Sequence, residues 1–139
     1  MATRSTYGIL ESDDTIKSVY CHFDGYLKGV GRLLYENYNT ETEVRKLIQK
    51  GTVSSLGRSL QTTSFHADFG GRIKIDKHLD QESFWDFDHH YFDYHYLFNP
   101  KNNKWWFQSY KQSPTELKPE MVFNKIELRK IKLKKILNL

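Results

Sequence analysis

Three stretches of this 139-residue chain carry side chains whose types and spacing could do chemistry. The first is Tyr20-Cys21-His22-Phe23-Asp24-Gly25-Tyr26. On a strand, Tyr20, His22 and Asp24 point to one side while Cys21 and Phe23 point to the other. A thiol beside an imidazole invites a nucleophile, but strand neighbours face opposite ways, so His22 is badly placed to take the Cys21 proton. The expected arrangement packs Cys21 and Phe23 into the core. It leaves His22, Asp24 and Tyr26 at a pocket rim, where the N-terminus of a following helix favours an anion.

The second stretch, residues 82–95, holds Glu82, Asp86, Asp88, His89, His90, Asp93 and His95 among aromatic residues. If it is extended, Asp86, Asp88 and His90 share one face, about 6.6 Å apart in succession, and could converge on a divalent metal. No HExxH segment and no second cysteine accompany them, so hydrogen-bonded His/Asp pairs are the plainer expectation. The third stretch is Trp105-Trp106-Phe107 with Tyr110, Lys104 and Lys111, together with Arg58 and Arg72 around a polar passage. Aromatic faces stack on bases, and Arg or Lys takes phosphate. Arg58, Arg72, Trp105 and Trp106 therefore join His22, Asp24 and Tyr26 as a candidate set for a nucleotide-containing ligand. The competing expectation is that the tryptophans split, one into the core and one to the surface, as a period of two requires. No Walker loop, GxGxxG, GxSxG or kinase signature occurs, and no cofactor is expected.

The elements that must position these residues begin with a hairpin. Thr3–Glu11 and Ile16–Phe23 alternate as strands across Ser12-Asp13-Asp14-Thr15. Leu27, Val30, Leu34 and Tyr38 then recur at helical spacing, predicting a helix over Gly25–Tyr38 with Asp24 as N-cap. Gly29 and Gly31 inside it imply close approach of a backbone or a ligand. Thr40 and Glu43 read as a capping box for a second helix, with Val44, Leu47 and Ile48 on its buried face and Gly51 at its end. Thr52–Gly71 reads as a functional loop and Arg72–Ile75 as a short strand. His90–Phe98 and Lys104–Lys111 read as a second hairpin. The fold expected is α+β, a twisted antiparallel sheet with two helices packed on one face, over residues 1–119. Residues 120–139 form a basic amphipathic segment, helix favoured, docked on that domain or at an oligomer contact.

Composition bounds the rest. One cysteine excludes an internal disulfide framework, and the first twenty residues lack the apolar core of a signal peptide. No run is apolar enough to span a membrane. The formal net charge of +4 lies entirely in residues 115–139, which hold seven basic and three acidic residues. Residues 80–93 hold five acids and no Lys or Arg. The lysine-rich tail suits the chain's own acidic stretch, a second copy, nucleic acid or an anionic membrane surface. A homodimer through the tail is expected, with Leu128 and Ile131 left exposed when the helix buries its other stripe.

Met1-Ala2-Thr3-Arg4-Ser5-Thr6-Tyr7-Gly8-Ile9 and Tyr20-Cys21-His22-Phe23-Asp24-Gly25-Tyr26 resemble an uncharacterised family of small bacteriophage proteins. These begin MATRST-G and carry a YCHWDGY segment, with Phe23 here in place of Trp. Val30-Gly31, Leu34 and Ser54-Ser55-Leu56-Gly57 continue the likeness over about the first 57 residues. The resemblance implies a phage origin, the host cytoplasm and a counter-defence role. The expected activity is non-catalytic: sequestering a nucleotide-derived immune signal or blocking a host defence protein. A small enzyme acting on nucleotides or nucleic acid through the 86–95 cluster is the alternative.

Overall fold

The computed structural model describes residues 2–109 and 112–138. Strands β1 (Ser5–Leu10) and β2 (Ile16–Cys21) pair antiparallel, with Ser5 opposite Cys21 and Leu10 opposite Ile16. Their turn is fixed by Asp14 at φ 67° and by the Asp13 carboxylate, which accepts the Thr15 amide and hydroxyl. Beyond β2 lie β3 (Val53–Ser55), parallel at its Cys21 end, and β4 (Ser64–Phe65) outside β3. Strand β5 (Asp76–His78) pairs antiparallel at the other end of β2. On the far side of β1, β6 (Tyr94–Asn99) pairs parallel, followed by β7 (Lys104–Ser109) and β8 (Thr115–Glu116) in antiparallel succession. The fold is α+β, as expected, but the sheet is mixed rather than wholly antiparallel. Helical crossovers between β2 and β3, and a long return before β6, bring the chain back to the same end of the sheet, which makes parallel pairs.

One face of the sheet carries the main core. Tyr7, Ile9, Val19, Cys21, Tyr96, Phe98 and Trp105 pack there against α1 (Arg32–Asn37) and α2 (Glu41–Gln49). Val30, Leu34, Val44, Leu47 and Ile48 are all buried, as their spacing predicts, while Leu27 is half-buried. The Trp105 indole donates to the Tyr38 carbonyl at 2.7 Å, and Arg45 of α2 forks onto Glu11 of the hairpin turn. Thr40 caps α2 by accepting the Glu43 amide. The reciprocal half of the box differs, because the Thr40 hydroxyl donates to the Glu43 carboxylate at 2.8 Å.

The helix expected from Gly25 is broken into a π-helical turn, Leu27–Gly31, and α1. Asp24 sits at φ 59° and is not the cap; its carbonyl accepts the Val30 amide at 2.8 Å. A Cβ on Gly29 would run into that carbonyl, and one on Gly25 would stand 2.8 Å from the Thr3 carbonyl. The glycines thus serve close approach of backbone to backbone.

The opposite face is covered by α3 (Gln81–Trp85), whose Phe84 and Trp85 bury against Ile16 and Leu97, with Leu10 and Trp106 half-buried beside them. Here the extended reading of 82–95 fails. The Asp80 carboxylate accepts the Ser83 amide at 2.8 Å and starts a helix, and residues 86–91 turn, with Asp88 at φ 42°. Thr52–Gly71 is also more structured than a loop, since it holds β3, β4 and two short 3₁₀ turns, Leu60–Thr62 and His66–Phe69. The strand expected at Arg72–Ile75 is absent; these residues are irregular, and pairing begins only after them, at β5.

At the C-terminus, α4 (Pro119–Val122) leads into α5 (Lys125–Leu137). Leu117, Val122 and Phe123 are buried in the main core, so tight packing runs past residue 119. An Asn124/Glu127 capping box starts α5, and Glu127 also pairs with Arg32. The expected exposure of this helix is reversed. Leu128 and Ile131 pack against the core, while Ile126, Leu133, Ile136 and Leu137 face outward. The helix is fixed in rotation by the cap and by Arg32, which turns that stripe inward. Among the described residues, no ion pair joins the tail to residues 80–93, which lie on the other face of the sheet.

Candidate functional site

The sheet brings a cation and several aromatic rings together at one end of its second face. Thr6 pairs with Tyr20 and Ser5 with Cys21, so one step further along the hairpin Arg4 comes beside His22. Alternation puts Arg4 and Tyr20 on the face opposite the main core. The Arg4 carbonyl accepts the Asp93 amide at 2.9 Å, which draws the 86–92 turn over this end. The Arg4 guanidinium then lies 4.5 Å from the centre of the Tyr91 ring. Tyr20 touches both Tyr91 and Phe92, with ring centroids 5.9 and 5.5 Å apart.

The Tyr20 hydroxyl is hydrogen-bonded to Nδ1 of His22. Burial, and then Tyr91, push the Tyr20 hydroxyl up to about 12, against the Arg4 side chain, which hydrogen-bonds it and pulls it down. The His22 ring meets the Phe23 ring edge-on at 4.5 Å. Ala2, Arg4, His22 and Phe23 line a concavity of about 400 Å³. Phe23 and Tyr91 are each 44% exposed, and Nε of Arg4 is buried without a hydrogen-bond partner. This arrangement offers an aromatic ligand a ring to stack on, and an anionic one a cation held in place by stacking.

Of the sequence-predicted ligand residues, the structure brings only His22 to this concavity. Phe23 is not in the core, because β2 ends at Cys21 and the Phe23 amide turns to the Ser54 carbonyl at 3.0 Å. Asp24 and Tyr26 lie on the same corner, both exposed, outside the lining. Trp105 is buried in the main core. Trp106 lines a separate groove of about 270 Å³ with Trp85, Leu97 and Asn102. Arg58 borders another, near Tyr38 and Lys46, and Arg72 is exposed on the segment before β5. Tyr110 and Lys111 lie outside the described residues. Sequence reasoning missed Arg4 and Tyr91. The hairpin register contained the signal for Arg4; nothing local signalled Tyr91, which arrives through the turn after α3.

The histidines of the second face take up structural positions. His95 Nδ1 meets the Thr6 hydroxyl at 2.6 Å, and His78 Nε2 meets the Ser18 hydroxyl at 2.8 Å. Phe84, Phe87 and Phe92 surround the two rings. Burial, and then the nearby His78, hold the His95 imidazole down at about 4. Asp86, Asp88 and His90 are exposed on the turn rather than aligned on a strand. Among the described residues, no three His, Cys, Asp or Glu side chains are placed to hold a metal ion together.

Cations line other hollows too, Arg58 and Lys46 sharing one with Glu43. Beside Leu10 and Pro100, the one arginine, Arg45, is already engaged by Glu11 and Glu41. Beside Tyr35 and Asn103, Lys104 faces Glu116 at 3.5 Å. Comparison with family models, curated proteins and solved structures finds no match to this chain. Function has to be read from the side chains themselves.

Proposed function

We propose that this is a non-catalytic binding protein that sequesters a nucleotide-derived small molecule at the Arg4–His22–Phe23 concavity. The observation that carries the reading is Arg4: its guanidinium lies over Tyr91, and it lines an open hollow beside an exposed Phe23 ring. A phosphate satisfies the cation and a base satisfies the ring. The His22 imidazole adds a polar ring edge to the same lining. The phage resemblance of the first 57 residues supplies the setting, a counter-defence accessory protein in host cytoplasm whose ligand is an immune signal.

The test is incubation of the purified protein with a panel of linear and cyclic nucleotides, followed by separation of free ligand and then heat denaturation. Depletion of one ligand and its intact release on heating is the expected result, lost in Arg4→Ala and Phe23→Ala proteins that still melt cooperatively. Conversion of the ligand makes the protein an enzyme. No depletion of any nucleotide overturns the reading.

A further inference from the structure

We infer that the outward face of α5 docks on an anionic lipid surface. Ile126, Leu133 and Leu137 are 66%, 57% and 74% exposed. They recur at i, i+7 and i+11, which places them on one line along the helix, with Ile136 beside it. At about 100° per residue, Arg129 flanks that line on one side and Lys130 and Lys134 on the other. The helix sequence KIELRKIKLKKIL presents six cations and a single acid, Glu127, which Arg32 already engages. Leu128 and Ile131 anchor the opposite side of α5 to the core, so the outward stripe has a fixed direction.

An occupant must offer apolar surface along the line and negative charge on both flanks. Nucleic acid offers only the charge. The α5 of a second copy offers the apolar stripe but opposes six cations to six. The acidic stretch 80–93 of a second copy offers charge, but its only large apolar side chain exposed among these residues is Tyr91. An anionic bilayer supplies both: leucine and isoleucine enter the boundary of the acyl region while lysine and arginine stems reach back to the headgroup phosphates. At thirteen residues α5 is about 20 Å long, and it would lie along the interface. No helix among the described residues is long and apolar enough to cross a membrane.

The full-length protein should be floated with vesicles of phosphatidylcholine alone and of phosphatidylcholine with about one third phosphatidylglycerol, the anionic fraction supplying the phosphate charge that basic residues seek. Binding is expected to the anionic vesicles only and to weaken with salt. It should fall at least about tenfold in Leu133→Asp/Leu137→Asp, and also in Lys130→Glu/Lys134→Glu. Both pairs are exposed, and unchanged melting would show that the fold survives. Absence of binding to anionic vesicles overturns the inference. So does binding that survives the aspartates, because charge alone would then suffice. Light scattering that finds a vesicle-free dimer broken by the same aspartates assigns the stripe to a second copy and overturns it as well.

Discussion

Cys21 is chemically quiet because of where the sheet puts it. The thiol is buried, and loss of solvent pushes it up to about 12. Iodoacetamide at pH 8 should leave the native protein unmodified over hours, and modify it within minutes in 6 M guanidinium, a concentration above ordinary unfolding midpoints. Rapid native labelling would mean that the β2 end opens. His95 makes a second residue-scale prediction. The unfolded imidazole takes its proton near its ordinary 6.5, whereas the folded one resists until about 4, first through burial and then through His78. Stability from this group is therefore full above pH 6.5 and is lost as pH falls towards 4, by about 3 kcal/mol at most. His78, lowered by its own burial, acts in the same direction. Urea midpoints should fall steadily between pH 7 and 4, with a flatter profile in His95→Asn. An equal slope in the variant would remove His95 from the account. The same two residues mark how legible single side chains were. Cys21 could be read as inert from strand alternation alone, whereas burial of His95 depends on α3, whose docking no local pattern specified.

At the scale of elements, the hairpin and α2 were readable because each is written in local chemistry: alternation with a turn signal, and a cap followed by a periodic apolar face. The stretch 82–95 was not. Its aromatics satisfy a strand pattern as well as a short helix, and the Asp80 cap that decides between them works only where Phe84 and Trp85 find the sheet's second face. The corner at 24–31 lies between these cases. Its glycines announced close approach, but the chain's own backbone at Gly25 and Gly29, and the Tyr96 ring at Gly31, fill the space rather than a ligand. Gly25→Ala should accordingly destabilise the fold by about 2 kcal/mol or more, since its Cβ would meet the Thr3 carbonyl and the Ser5 side chain. Chemical denaturation would measure it, and a loss below about 0.5 kcal/mol, the level of an ordinary surface substitution, would mean the corner is slack. On α1, Leu34 is fully buried, and Leu34→Ala should cost about 2–5 kcal/mol by the same measurement.

For the whole molecule, the basic tail has two parts with different duties. Val122 and Phe123 complete the main core, whereas α5 adds only Leu128 and Ile131 to it. A chain ending at Asn124 should therefore still unfold cooperatively with a modest fall in Tm. A chain ending at Lys118 should lose several kcal/mol, about the sum of two large core truncations. Equal stability of the two would show that α4 does not belong to the core. The order of the sheet carries a last consequence. Its marginal strands, β4, β5 and β8, are two or three residues each, and the long strands β1, β2 and β6 all lie inside. A growing cross-β aggregate needs an uninterrupted row of free amides and carbonyls as its template, and margins this short deny it one. The native state should thus stay clear of fibrils at high concentration. Any fibril seeding should require conditions that first free β1 or β6, such as the acid range in which the second face loses its neutral histidines.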